Sequence, residues 1–267
     1  MTILVVGGGF IGGAIVRALG PERGRLVSHS RLEAPDILHG VETVVFAGRH
    51  PRLGRADWSI DADLEPPLAR LADRLGASFV SLCTRKVYAP SSLPLAEESR
   101  IGPTDLYGQQ KLLVERTLLG ILGPRLTRLR LANVFGYERS PHRSSFLTSL
   151  LGTLAAEGEI RFAMSPFVTR DFVPVEKVAA WVAHLAERPP GGVLNIGSGV
   201  PLPTGQLALW ILEGFGHGRL VIENPADLDP FVLDIRKLRG LIPDAGFSFE
   251  QLREYCRDLG RRLSRES

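Results

Sequence analysis

The chain has 267 residues, 44% of them apolar and 23% charged, which excludes intrinsic disorder and suits one large α/β domain or two closely joined lobes. Its 32 basic and 29 acidic residues leave a net charge of +3, too even a balance for a nucleic-acid or membrane-surface partner. Two cysteines and six histidines, none of the latter three or four residues apart, form neither a disulfide framework nor a metal-ligand spacing, so no metal is expected.

Ile3-Leu4-Val5-Val6 reads as a short buried strand; glycines end it, and Ile11, Ile15, Val16 and Leu19 follow at helical spacing. Arg17 and five glycines break the apolar stretch from Ile3 to Leu19, which therefore does not read as a signal peptide. No apolar run nears the ~20 residues of a membrane span. The chain is expected to be soluble and cytoplasmic. Leu26-Val27, Val41 to Ala47 and Ser78 to Leu82 read as further strands, with an Ala/Leu/Arg-rich helix from Pro66 to Gly76 between the last two. A helix from Thr104 to Gly120 is preceded by Pro103 and capped by Thr104 or Asp105. Leu126 to Phe135 and Val193 to Ile196 are later strands, and an Arg-studded helix spans Phe249 to Leu263. Strands alternating with helices predict an α/β fold with a parallel sheet covered on both faces.

Gly7-Gly8-Gly9-Phe10-Ile11-Gly12 fits G-x-G-x-x-G between a strand and a helix. Glycines let backbone N–H groups approach a pyrophosphate, and the helix N-terminus adds partial positive charge. The plain alternative is a tight turn of any α/β protein; the strand–loop–helix context favours a dinucleotide. About 20 residues on, where an acid would bind the ribose hydroxyls of NAD, the chain has Ser28-His29-Ser30-Arg31. Ser30 beside Arg31 suits a 2′-phosphate, so NADPH is expected, with NAD as the alternative. Otherwise Arg31 is a surface arginine.

Tyr107 and Lys111 lie four apart on the predicted helix and share a face with Val114 and Leu118. A phenol and an ammonium ending an apolar stripe are costly unless both are used. The lysine charge is expected to lower the phenol's pKa from about 10, making it a usable acid or base.

Seven motifs in order carry a resemblance. They are Gly9-Phe10-Ile11-Gly12, Val44-Val45-Phe46-Ala47, Cys83-Thr84-Arg85-Lys86-Val87-Tyr88, the run Pro103 to Lys111, Arg130 to Gly136, Arg170-Asp171-Phe172-Val173 and Asn195-Ile196-Gly197-Ser198-Gly199. As a set they are highly specific: the chain resembles the extended short-chain dehydrogenase/reductase family, of the NAD-dependent epimerase/dehydratase type. The resemblance implies a Rossmann-type doubly wound parallel sheet with a small C-terminal substrate lobe. Residues 1–138 would be the dinucleotide-binding domain and 139–267 mainly the lobe, with strands near 168–200 rejoining the first. It implies dinucleotide contacts at Gly7, Gly9, Phe10, Ile11, Gly12 and Ala47. Thr84 would hydrogen-bond the substrate oxygen, Tyr107 would be the general acid/base, and Lys111 would hold the nicotinamide ribose and tune Tyr107. Asn133 would lie near a substrate nucleotide, Arg170 would pair with a pyrophosphate oxygen or else form a salt bridge at the lobe boundary, and a homodimer through helices, including that of Tyr107, is the family habit.

The chain departs from the pattern in places. Val6 stands where the first glycine of the usual G-x-x-G-x-x-G loop would be, Lys177 stands where many relatives have Asp, and Glu223 to Asp229 lacks the second phosphate-binding Arg of nucleotide-sugar enzymes. Lys86 would bind an anionic substrate group or act as a second acid, or be a plain surface lysine. His142 falls where related epimerases keep a His, or is an exposed loop residue. The leading expectation is an oxidoreductase that reduces a keto group of a nucleotide-activated 4-keto-6-deoxysugar. A 4-epimerase with bound NAD, or a non-catalytic dinucleotide-binding sensor or structural subunit, stand as alternatives. Arg85 and Lys86, where dehydratases carry acids, disfavour dehydration.

Overall fold

Alternate residues of the first strand serve two different cores, and that alternation organises the molecule. The computed structural model describes residues 1–28, 37–137, 146–226 and 229–266. The chain opens with β1 (Thr2–Val6), α1 (Phe10–Leu19), β2 (Gly24–Val27), β3 (Val41–Phe46), α2 (Glu65–Arg74), β4 (Ser78–Thr84), α3 (Leu106–Leu122) and β5 (Leu126–Leu131). Next come β6 (Asn133–Phe135), α4 (Phe146–Glu157), β7 (Glu159–Phe162), β8 (Thr169–Arg170), β9 (Phe172–Pro174), α5 (Val175–Glu187) and β10 (Gly192–Ile196). The last elements are β11 (Leu202–Pro203), α6 (Thr204–Phe215), β12 (Arg219–Ile222), α7 (Arg236–Leu241) and α8 (Phe249–Glu266).

Six strands pair in parallel in the order β10-β5-β4-β3-β1-β2. This is a Rossmann-type sheet. Ile3 and Val5 point to the side covered by α1 and α5, with Ala14, Ile15, Val178 and Val182. Leu4 and Val6 point to the other side, where Leu68 and Ala72 of α2 and Val114 and Leu118 of α3 close over them. A third core, around Leu154, Phe162, Ile211, Phe215, Leu252 and Cys256, belongs to α4, β7, α6 and α8. Among the described residues no helix is long and apolar enough to cross a membrane.

Two boundaries differ from expectation. The single strand expected from Leu126 to Phe135 is two, because the chain changes partners at Ala132. The Ala132 N–H still donates to Ile196 of β10 at 2.9 Å, whereas the Asn133 N–H donates to Asp171 at 3.1 Å and β6 runs on beside β9. The helix expected to stop at Gly120 continues to Leu122; Gly123, at φ 55, turns the chain out and donates to Leu119. Asp105 rather than Thr104 caps that helix, accepting the Gly108 N–H at 2.7 Å.

Candidate active site

The glycine loop leaves β1 and packs backbone against backbone. Gly7 has φ +101, and a Cβ on Gly12 would lie 1.9 Å from the Gly7 carbonyl oxygen. Only glycine permits that approach. Gly9 is the N-cap of α1, which has no side-chain cap and no acid in its first turn. No side-chain cap therefore occupies the first-turn N–H groups, the arrangement that suits an anion such as a pyrophosphate. Val6 is fully buried as the last residue of β1, and the Ala47 N–H donates to its carbonyl at 2.9 Å, so the start of the shortened loop is tied to the end of β3. Ser30 and Arg31, on which the NADPH expectation rested, lie outside the described residues, as does His142.

Next to the loop is a cleft of about 460 Å³. It gathers Ile11, Thr84, Lys86, Tyr107, Asn133 and Arg170, six of the residues singled out by sequence. Thr84 ends β4 and its hydroxyl accepts the Lys86 N–H at 3.3 Å. Tyr107, in the first turn of α3, is half-buried, with the Arg49 guanidinium 5.2 Å from its ring centre. Lys111, one turn on, is only 4% exposed, and its ammonium stands 3.6 Å from the Glu65 carboxylate. Lys86 lines the cleft with its ammonium paired to Asp105 and its side chain 38% exposed.

The phenol departs from expectation in direction. Burial pushes Tyr107 up, and this outweighs the downward pull of Lys111 and Arg49, leaving the group above its ordinary value. For Lys111, burial favours the neutral amine, but Glu65 foremost, then Cys83, Tyr107 and Asp63, hold it above the usual lysine value.

Sequence reasoning missed the partners of Arg85, and it missed Glu65 and Arg49 altogether. Arg85, 8% exposed, stacks 3.8 Å over Phe231 and forms a two-pronged pair with Asp229, whose backbone carbonyl accepts from Arg170 at 3.2 Å. Glu65 and Arg49, at the start of α2 and just after β3, belong to no motif. Of the two late motifs, Arg170 lines the cleft, whereas Asp171 and Asn195 hold backbone instead. Fully buried Asp171 accepts from Ser198 N and Oγ, Gly199 N and Leu233 N, and Asn195 ties Leu95 and Asp234 to β10. A larger groove of about 690 Å³, bounded by Phe231, Leu93 and Arg236, shares no residue with the cleft.

The model of the NAD dependent epimerase/dehydratase family matches residues 37–197. Among solved structures, the fold is similar to MoeE5 in complex with UDP-glucose and NAD, at 21% identity and TM-score 0.80, covering 98% of this chain and 99% of that one. It is similar to TunA, an NAD-dependent NDP-hexosamine 5,6-dehydratase of tunicamycin biosynthesis, at 22% identity, TM-score 0.81 and 98% of both chains. A UDP-N-acetylglucosamine 4-epimerase from Bacillus cereus matches at 20% identity and TM-score 0.81, over 98% of this chain and 99% of that one.

Proposed function

The chain belongs to the NAD-dependent epimerase/dehydratase family of extended short-chain dehydrogenases, and on that premise we propose that it interconverts a secondary alcohol and a ketone on the sugar of a nucleotide sugar, without eliminating water. One observation carries this reading: Thr84 and Tyr107 line the cleft with Lys111 buried one turn beyond Tyr107, and the two residues after Thr84 are cationic Arg85 and Lys86 where elimination would need acids.

Bound NAD would supply the hydride acceptor and, once reduced, the donor. Gly7, Gly9, Phe10, Ile11, Gly12 and Ala47 would hold the dinucleotide, its pyrophosphate on the N-terminus of α1. The Thr84 hydroxyl donates to the reacting oxygen of the sugar and fixes that carbon in the cleft. Tyr107 takes the proton from this oxygen as the alcohol is oxidised and returns it as the ketone is reduced. Lys111 holds the nicotinamide ribose and keeps a positive charge beside the phenol. Arg170 and Asn133 contact the nucleotide diphosphate, to which a guanidinium binds through two parallel hydrogen bonds.

Within this chemistry, net reduction of a 4-keto-6-deoxysugar is favoured by the acid-free run Ser28-His29-Ser30-Arg31 that follows β2 in the sequence. The 4-epimerase reading, oxidation and re-reduction at one carbon with NAD retained, is favoured by the family and by the epimerase among its structural neighbours. NAD is the dinucleotide we propose; NADPH finds support only in Ser30 and Arg31. The leucines that α3 exposes, Leu106, Leu113 and Leu119, suit a homodimer through this helix.

The test supplies a 4-keto-6-deoxysugar nucleotide with NADH or NADPH and follows absorbance at the reduced nicotinamide band. Consumption abolished in Tyr107→Phe supports the reductase reading. Turnover of a UDP-hexose with no net consumption, by protein that releases NAD on denaturation, puts the epimerase first. A Tyr107→Phe protein that retains full turnover overturns both.

A further inference from the structure

A buried ammonium needs a counter-charge, and the element that supplies it decides how much of its field reaches its neighbours. At Lys111 the counter-charge comes from α2. The Glu65 side chain opens that helix, is 1% exposed, and faces the ammonium at 3.6 Å. Its other carboxylate oxygen accepts the Ser81 hydroxyl from β4. The Glu65 backbone N–H donates to Asp63 at 3.0 Å, and Asp63 in turn accepts the Trp58 indole N–H at 2.9 Å. Trp58, Asp63, Glu65 and Ser81 thus form a buried brace behind Lys111, built from a segment that carries none of the recognised motifs.

We propose that Glu65 is a positioning residue of the Tyr107/Lys111 dyad: its carboxylate anchors the ammonium from the α2 side and offsets part of its field at the phenol. The inference rests on Tyr107 being the acid/base of the proposed reaction. Tyr107 is also faced by Arg49 after β3, Cys83 in β4 and Asp105 before α3; Lys111 is faced by Asp63 and Cys83 besides Glu65 and Tyr107. Arg49 and Lys111 favour the phenolate, while Asp105 and Cys83 oppose it. Glu65 works on the phenol through Lys111, by fixing where the ammonium sits and neutralising it. The balance sets how readily Tyr107 passes between the phenol, which gives a proton to a ketone oxygen, and the phenolate, which takes one from an alcohol. The direction of the Tyr107 shift, upward by burial despite two neighbouring cations, agrees with this balance.

The chain has four tyrosines, so carbon-13 at the phenolic carbon gives four resonances, with that of Tyr107 assigned by its loss in Tyr107→Phe. In full-length protein saturated with NAD, Glu65→Gln is expected to lower the pH at which Tyr107 ionises by about one unit, the size of effect one buried charge exerts nearby. Glu65→Asp, which keeps the charge, is expected to titrate close to wild type. An unchanged or raised midpoint in Glu65→Gln overturns the proposal, as does an equal shift in both variants. Should Glu65→Gln not fold, the carboxyl carbon of Glu65 in the wild type, assigned through its bonds, decides the matter: ionised at pH 7 supports the proposal, protonated overturns it. No substrate enters these titrations, so a failure of the reaction assignment shows separately as full turnover by Tyr107→Phe.

Discussion

Arg85 and Asp229 face each other in a two-pronged pair, 2.6 Å between Nη1 and Oδ1, that ties the end of β4 to the segment leading into Phe231. The stretch from Glu223 to Asp229 lacks an arginine of its own, and Arg85 reaches the same place from the other side of the cleft. Arg170 arrives there too, through the Asp229 carbonyl. Two guanidiniums thus meet at one residue of the cleft wall, Arg85 on the Asp229 carboxylate and Arg170 on its backbone carbonyl.

The first prediction follows from this pair. Arg85→Ala should raise KM for the nucleotide sugar about tenfold or more, the worth of a lost charge-assisted hydrogen bond, with a smaller change in kcat. Steady-state kinetics with a nucleotide sugar and with its nucleotide-free counterpart check it. Equal losses with both would remove Arg85 from nucleotide recognition.

Tyr107→Phe should lower kcat by about 10² to 10⁴, the contribution of a positioned acid/base, while nucleotide-sugar affinity stays within a few-fold. Phenylalanine retains the ring under Arg49 and loses only the hydroxyl. Kinetics paired with equilibrium binding separate the two effects. A variant that loses binding as well would point to a structural role for the phenol.

Gly12→Ala places a methyl 1.9 Å from the Gly7 carbonyl, a clash only backbone movement relieves. NAD affinity should fall at least tenfold, measured by fluorescence titration, while the far-ultraviolet spectrum remains that of an α/β protein. Unchanged affinity would show that the shortened loop is not where the pyrophosphate rests.

Glu115 and Arg130 form a buried pair beneath the cleft, with Nε–Oε1 at 3.0 Å and Nη2–Oε2 at 2.8 Å. Burial pushes the Glu115 carboxyl up, but the Arg130 bonds and charge outweigh it and hold the group below its ordinary value. A carboxyl lowered by folding contributes stability above its unfolded value of about 4.3, and that contribution is lost as pH falls through the folded value. Glu115→Gln should therefore cost about 3 kcal/mol at pH 7, where it strands Arg130, and visibly less at pH 3. Urea unfolding at the two pH values measures the gap; a constant gap contradicts the assignment.

The sheet and the glycine loop were legible because their signals are local. Ile3 to Val6 alternate between two cores within four residues, and Gly7 to Gly12 sit directly between strand and helix. Thr84, Tyr107 and Lys111 were singled out through family spacing; Thr84 and Tyr107 line the cleft, and Lys111 lies buried one turn beyond Tyr107. Glu65 was not. An acid in the first turn of a helix, before two prolines, reads as ordinary dipole complementarity, and nothing local says that it meets a lysine two elements later. The Arg85–Asp229 pair spans 144 residues and joins two segments whose sequences say nothing of each other. Asp171 and Asn195 show the converse: each lies in a recognised motif, yet each is buried and hydrogen-bonded to neighbouring loops. The sign of the Tyr107 shift was missed for a related reason, since burial depends on packing that spacing along one helix does not reveal.

The most direct test of hydride transfer without elimination is to run the reaction in deuterated water and locate deuterium in the product sugar by NMR. Candidate substrates are UDP-hexoses, and a 4-keto-6-deoxysugar nucleotide with NADH. Hydride returned from the nicotinamide leaves the reacting carbon carrying a hydrogen that did not come from solvent, whether the outcome is reduction or epimerisation. A product with no solvent deuterium on its ring carbons is the predicted result. Deuterium on the carbon next to the former carbonyl, with loss of a hydroxyl, would establish dehydration and contradict the reading built on Arg85 and Lys86.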